Sequence, residues 1–227
     1  MELGRATWPQ VEATAGKAVL ALPLGSLEQH GPHLPLDTDT RIAVAVASGA
    51  ASRVASLAVA PPVAYGASGE HAGFPGTLLV GHDVLAALLV ELVRSARDSF
   101  AGVVLVSAHG GNETALSAVS ARCAAEGDDV VVWRAASPGG DAHAGRTETS
   151  IMLAIDPAAV HPELAAPGCT EPIERLLPRL RAEGVRPVSS SGVLGDPTGA
   201  SAEEGRELLD HLVTELAAAV VARWPGS

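Results

Sequence analysis

Short aliphatic runs alternate along this chain with longer stretches in which apolar residues recur at three-and-four spacing. That alternation restricts the fold to strand-and-helix units around a largely parallel sheet, because parallel neighbours need a long crossover and a helix supplies it. Residues 18–23, 57–63, 103–108 and 130–133 are the candidate strands, each nearly continuous in aliphatic character, as a sheet covered on both faces requires. Residues 40–54 and 82–100 read as helices, and in the second Val84, Leu85, Leu88, Leu89, Leu92, Val93 and Ala96 form one apolar stripe. Residues 202–223 repeat the pattern with Leu208, Leu209, Leu212, Leu216 and Val220, and Ser201 followed by Glu204 predicts a capping-box start. With 227 residues and 47% apolar content, the chain can bury one sizeable core, so a single α/β domain over residues 1–227 is expected.

Charge and composition exclude some functions. The formal charge is −11 and the 15 Lys and Arg residues are scattered, which argues against a nucleic-acid partner, since phosphate binding needs a basic face. The most apolar stretch, residues 84–93, is broken by Glu91 and followed by Arg94 and Arg97, far short of the roughly 20 apolar residues that cross a bilayer. Cys123 and Cys169 have neither metal-type nor redox-type spacing, and no export signal is visible, so both thiols are expected to be reduced in a cytoplasmic protein.

Loops rich in glycine and proline fall at residues 25–35, 66–76, 137–145 and 187–199, and the first three contain histidine. Open α/β sheets carry their sites in loops beyond the carboxyl ends of the strands, and His30, His109 and His143 each follow a candidate strand in that way. The loop after the first strand is densest in ligand chemistry. Glu28 and His30 are two apart, so an extended backbone points both toward one face, and Asp39 can return to the same place from the start of the next helix. His33 and Asp37 read either as groups that orient ligands or as turn formers. A second cluster, Ser107-Ala108-His109-Gly110-Gly111-Asn112-Glu113, leaves His109 at a strand tip with a helix beginning near Asn112. In a third, His143 and Glu148 lie five apart and straddle a loop-to-helix junction, which suits different roles: Glu148 a ligand, His143 a proton donor. Asp141 and Arg146 read as loop structure and Trp133 as packing. Glu70 and His71 line a substrate entrance or belong to a solvated loop.

With these residues assembled, the chain resembles the creatininase family of metal-dependent amidohydrolases through residues 25–39, through His109-Gly110-Gly111-Asn112, and through His143-Ala144-Gly145 with Glu148-Thr149-Ser150. The resemblance implies a three-layer α/β/α sandwich with a mostly parallel central sheet, assembled as a homo-oligomer, usually a hexamer. It implies two divalent cations, Zn, Fe or Mn, with Glu28 and His109 on one, His30 on the other and Asp39 bridging. Asn112 would support the ligands from behind. Creatininase itself has a ligand carboxylate two residues after the second-motif histidine, where this chain has Gly111. Glu148 is the candidate to supply what is missing, and the departure weakens the case for creatinine as substrate. Within the family, the subgroup serving the mycofactocin pathway looks closest, judged from Pro23-Leu24-Gly25-Ser26, residues 34–41 and residues 69–77. That subgroup implies a peptidase that releases a C-terminal Val-Tyr-derived fragment from a modified precursor peptide.

Three carboxylates, Glu28, Asp39 and Glu148, together with one hydroxide carry the charge that two divalent cations neutralise. The expected chemistry is metal-assisted amide hydrolysis, with a water activated between the cations and His143 protonating the departing amine. Two rivals remain at this level: a hydrolase of small cyclic amides or formamides, and a metal-binding scaffold subunit without turnover.

Overall fold

The computed structural model describes residues 1–136 and 140–226. Strands β1 (Val19–Leu24), β2 (Leu57–Val59), β3 (Gly102–Ser107) and β4 (Val130–Arg134) form one sheet in the order β2-β1-β3-β4, with every neighbouring pair parallel. The described α-helices are α1 (Trp8–Glu12), α2 (Thr38–Arg53), α3 (His82–Ala96), α4 (Glu113–Glu126), α5 (Arg146–Ile155), α6 (Ile173–Glu183) and α7 (Ala202–Arg223), accompanied by short 3-10 turns.

Side chains alternate across the sheet, as the two-residue period of a strand dictates. Val19, Ala21, Val104 and Val106 join a core with Val46 of α2, Met152 of α5 and Leu216 of α7. Leu20, Leu22, Leu24, Val103 and Leu105 join a second with Leu89 of α3 and Leu116 of α4. Two helical layers thus enclose the sheet, and the architecture is the α/β/α sandwich. Trp133, on β4, is half-buried and packs against the first core.

Several boundaries depart from expectation for physical reasons. The strand expected over residues 57–63 ends at Val59, because Pro61 and Pro62 have no N–H to offer a ladder; Val63 then regains a single bridge to Leu24. The helix expected over 82–100 stops at Ala96. The helix expected over 40–54 begins at Thr38, which sets Asp39 in its first turn, where exposed N–H groups favour a carboxylate. α6 was not anticipated: it contains Pro178 and buries only Leu176 and Leu180. Half of the predicted capping box forms. Ser201 Oγ accepts from Glu204 N–H at 3.2 Å, while the Glu204 carboxylate turns to Ser150 and Arg146. Residues 137–139 of the third expected loop lie outside the described residues. No described helix is long and apolar enough to cross a membrane.

The strand order decides where a site can form. From β1 the chain crosses to β2 on one side, and from β3 it crosses to β4 on the other, so the connections leaving the two central strands diverge at their carboxyl ends. Leu24 and Ser107, paired in register, open into the resulting crevice, the place where open α/β sheets bind ligands.

Candidate metal centre

The loop after β1, the first turn of α2 and the loop after β3 converge in that crevice. Gly25 lets the first two approach: a Cβ there would fall 2.4 Å from the Thr40 backbone. His109 lies between two carboxylates, its Nε2 3.2 Å from Glu28 Oε2 and its Nδ1 3.2 Å from Asp39 Oδ2. His30 Nε2 lies 3.1 Å from Asp39 Oδ1, and the His30 ring is held from behind by the Glu28 carbonyl, 3.1 Å from Nδ1. From α5, Glu148 brings Oε2 to 4.0 Å from His30 Nε2 and accepts the Ala144 N–H at 2.6 Å. His143 stacks at 4.4 Å between ring centroids on both His30 and His71, with Nδ1 3.8 Å from Glu28 Oε1.

All of these side chains except Glu148 are buried, and Glu28 is fully so. Neither Glu28 carboxylate oxygen has a hydrogen-bond partner of good geometry. A buried carboxylate with no donor costs several kcal/mol and is normally compensated by pairing or by a cation. Among the described residues, three overlapping groups each bring their donor atoms within 4.8 Å of one another: Glu28, Asp39 and His109; His30, His143 and Glu148; and Glu28, His71 and His143. Carboxylate and imidazole donors at this density fit divalent transition metals.

Electrostatics divides the histidines into two pairs. Burial alone would keep His30 neutral, but Asp39 outweighs it and pushes the ring up to about 10. Burial opposes the charge on His109 as well, and Glu28 and Asp39 override it, raising that ring well above its ordinary value. His71 and His143 are instead lowered, first by burial and then by neighbouring imidazoles, His71 to about 3. Burial works to raise Glu28 and Asp39, and the facing histidines more than reverse it. Burial does prevail at Glu148, raised to about 7, and at Glu70, raised above its ordinary value.

His33 is buried, with Nε2 2.9 Å from Thr149 Oγ1 on α5. Asn112 ties loops together, donating to the Gly25 carbonyl at 3.2 Å and accepting the Ala67 N–H at 2.9 Å. Asp37 bonds Arg41 at 2.7 Å rather than any of the donor side chains, as a residue at the start of a helix. Asp141 accepts from the N–H groups of Arg146 and Thr147 and so caps α5, the structural role expected of it.

The burial of His71 removes the solvated-loop alternative for that residue. It is buried, with Nε2 3.2 Å from Glu28 Oε1, because the segment is pinned by the Ala67 bond to Asn112 and by the Glu70 carbonyl, which accepts from Val185 N–H at 2.7 Å. Glu70 Oε1 reaches 3.6 Å from His109 Nε2. A Cβ on Gly111 would fall 2.3 Å from that same oxygen, so glycine there leaves the space that Glu70 occupies. Sequence reasoning passed over Ser26, whose hydroxyl donates to Asp39 Oδ2 at 2.6 Å, and Gln29; only their position inside the ligand-rich loop could have flagged them.

A family model for creatinine amidohydrolase matches residues 4–220. The chain belongs to the creatininase family. Mycofactocin precursor peptide peptidases from Mycobacterium ulcerans and Mycobacterium tuberculosis are each 47% identical to it, over 99% and 98% of this chain and 92% and 91% of their own. Creatinine amidohydrolase of Pseudomonas putida is 30% identical over 98% of this chain and 97% of its own. A crystal structure of creatininase superposes with a TM-score of 0.80 at 28% identity, covering 99% of this chain and 98% of that one. Creatininase-family membership makes the chain a hydrolase acting on C–N bonds, and solved creatininases include manganese and zinc forms.

Proposed function

We propose that this protein is a peptidase holding two divalent cations, Zn, Fe or Mn, which releases the C-terminal Val-Tyr-derived fragment from the modified mycofactocin precursor peptide. The observation that carries the metal assignment is the fully buried Glu28 carboxylate, unpartnered by hydrogen bonds yet surrounded by three imidazoles. The peptide assignment is supported by 47% identity to the peptidases, against 30% to creatinine amidohydrolase, with nearly the whole chain covered in both.

Glu28, His109, His30 and Asp39 are the residues that would hold the cations, Glu28 and His109 on one side of Asp39 and His30 on the other. Glu148 stands beside His30 and supplies the carboxylate absent at Gly111. When bound, divalent cations would lower the pKa of a water towards neutrality and polarise the amide carbonyl. His143 transfers the proton to the departing amine: burial holds its ring neutral and its Nδ1 faces the cluster. His33 and Asn112 keep ligand loops in register, Asp37 acts further back through Arg41, and Glu70 and His71 contact the substrate.

A cavity of about 260 Å³ is lined by Asp39, His109, His143 and Glu148, and one of about 530 Å³ shares Gly140, Asp141, Ala142 and Thr147 with it and runs on to Thr170. Together they give room for an extended chain. Residues 1–227 work as one creatininase-like domain in the cytoplasm. Exposed Tyr65, Leu78, Leu79, Val84 and Leu88 offer apolar surface for a homo-oligomer such as a hexamer.

Incubating the metal-loaded protein with the modified precursor peptide and, separately, with creatinine, and following products by mass, tests the reading. Release of the C-terminal fragment is expected. Opening of creatinine with the peptide left intact, or turnover of neither, overturns it.

A further inference from the structure

Gln29 stands between Glu28 and His30 in sequence, and its buried side chain turns to the other two histidines. Only one orientation of its amide satisfies the surroundings. Gly31 N–H donates to Oε1 at 2.8 Å, so Nε2 is the end that lies 2.9 Å from His71 Nδ1, 3.0 Å from His143 Nε2 and 3.1 Å from the Gly192 carbonyl oxygen. The amide nitrogen has two hydrogens for these three neighbours.

Elimination assigns both. The Gly192 carbonyl can only accept, and it takes one. His143 Nε2 lies 2.8 Å from the backbone carbonyl oxygen of Gln29, which also can only accept, so this ring nitrogen carries a hydrogen and cannot take one from the amide. Its approach to the amide nitrogen is a packing contact. The second amide hydrogen therefore goes to His71 Nδ1, which must present a lone pair. His71 then keeps its hydrogen on Nε2, which faces Glu28 Oε1 at 3.2 Å without the geometry of a hydrogen bond, while His143 presents a bare Nδ1 3.8 Å from that oxygen. The clamp is enclosed: Gly192 has φ +85°, and a Cβ there would fall 1.7 Å from Gln29 Oε1.

We propose that Gln29 is a positioning residue that fixes the His71 hydrogen on Nε2 and so bars that nitrogen from the ligand set, although its distance to Glu28 would suit a ligand, while the Gln29 backbone carbonyl holds His143 with Nδ1 toward the reaction. The catalytic consequence rests on the hydrolase reading. Water oxygen bonds to the carbonyl carbon, its proton passes to His143 Nδ1, the C–N bond breaks, and that proton ends on the departing nitrogen. Nε2, tied to a carbonyl, takes no part.

Nitrogen-15 NMR of the full chain, labelled at histidine and loaded with Zn²⁺, tests the assignment, with His71→Ala and His143→Ala spectra identifying the signals. Both rings are expected as neutral tautomers with hydrogen on Nε2. In Gln29→Leu the His71 pattern is expected to change and that of His143 to persist, with kcat falling about 10- to 100-fold at unchanged metal content. In Gln29→Glu a carboxylate replaces the donor, and His71 is expected to move its hydrogen to Nδ1. A wild-type His71 bound to zinc through Nε2, a wild-type His143 with hydrogen on Nδ1, or a His71 pattern indifferent to Gln29→Leu overturns the proposal. These spectra are read whether or not peptide is cleaved, so their failure leaves the hydrolase reading standing, and failure of the peptide assay leaves the tautomers standing.

Discussion

The two ends of the central sheet treat charge in opposite ways. At the amino end, Trp224 packs over Gly102 at the start of β3, its indole N–H donates to Asp129 at 2.7 Å, and Arg223 pairs with the other Asp129 oxygen near the surface. The Asp129 carboxylate there faces a permanent cation and an indole donor, and the arrangement serves packing. At the carboxyl end of β1 and β3, Glu28, Asp39, His30, His71, His109 and His143 are buried together, and Glu28 has no hydrogen-bonded partner. Such a concentration works against folding, since desolvating charge is expensive unless something compensates it. One end of the fold contributes stability, and the other spends it on a cation site.

That contrast can be broken at either end. The largest effect is expected from Glu28→Gln, which keeps the shape and removes the charge: hydrolysis of the precursor peptide should fall by more than about 100-fold, since even partners outside a ligand shell cost 10- to 100-fold when lost. Steady-state kinetics beside a metal assay checks it, and full activity would remove Glu28 from the centre. Next comes His143→Ala, expected to lower kcat by about 10²–10⁴-fold with metal content intact. Loss of metal in that variant would make His143 a ligand instead of a proton carrier. At the amino end, Trp224→Ala is expected to cost about 3–5 kcal/mol in denaturant unfolding, the scale for truncating a buried aromatic, with metal content of the folded fraction unchanged. Smallest is Asp129→Asn, which leaves an acceptor for the indole and removes a partly exposed ion pair; it is expected to cost less than about 1 kcal/mol and leave turnover alone.

The contrast also explains what could be read in advance. β1 and β3 are legible because strands buried on both faces must be aliphatic throughout, and the order of Glu28, His30, Asp39 and His109 is legible because their loops follow those strands directly. α6 escaped because Pro178 interrupts its pattern and only Leu176 and Leu180 face inward. β2 was overextended because the aliphatic run continues through Pro61 and Pro62, which cannot join a ladder. His71 was left between two readings because nothing local distinguishes a glycine-rich segment in water from one pinned by Asn112 and Val185. Gln29 gave no chemical signal of its own, since its role exists only where residues far apart in the chain, His71, His143 and Gly192, meet it.

The buried carboxylates and imidazoles at the carboxyl end are there to hold cations. Elemental analysis of the purified protein, paired with competitive titration of the same metal into Glu28→Gln, tests this directly. The account predicts close to two tightly held divalent ions per wild-type chain and a sharp loss in the variant. A wild-type protein that takes up no divalent metal at stoichiometric levels, or a variant that binds it equally well, would contradict the account.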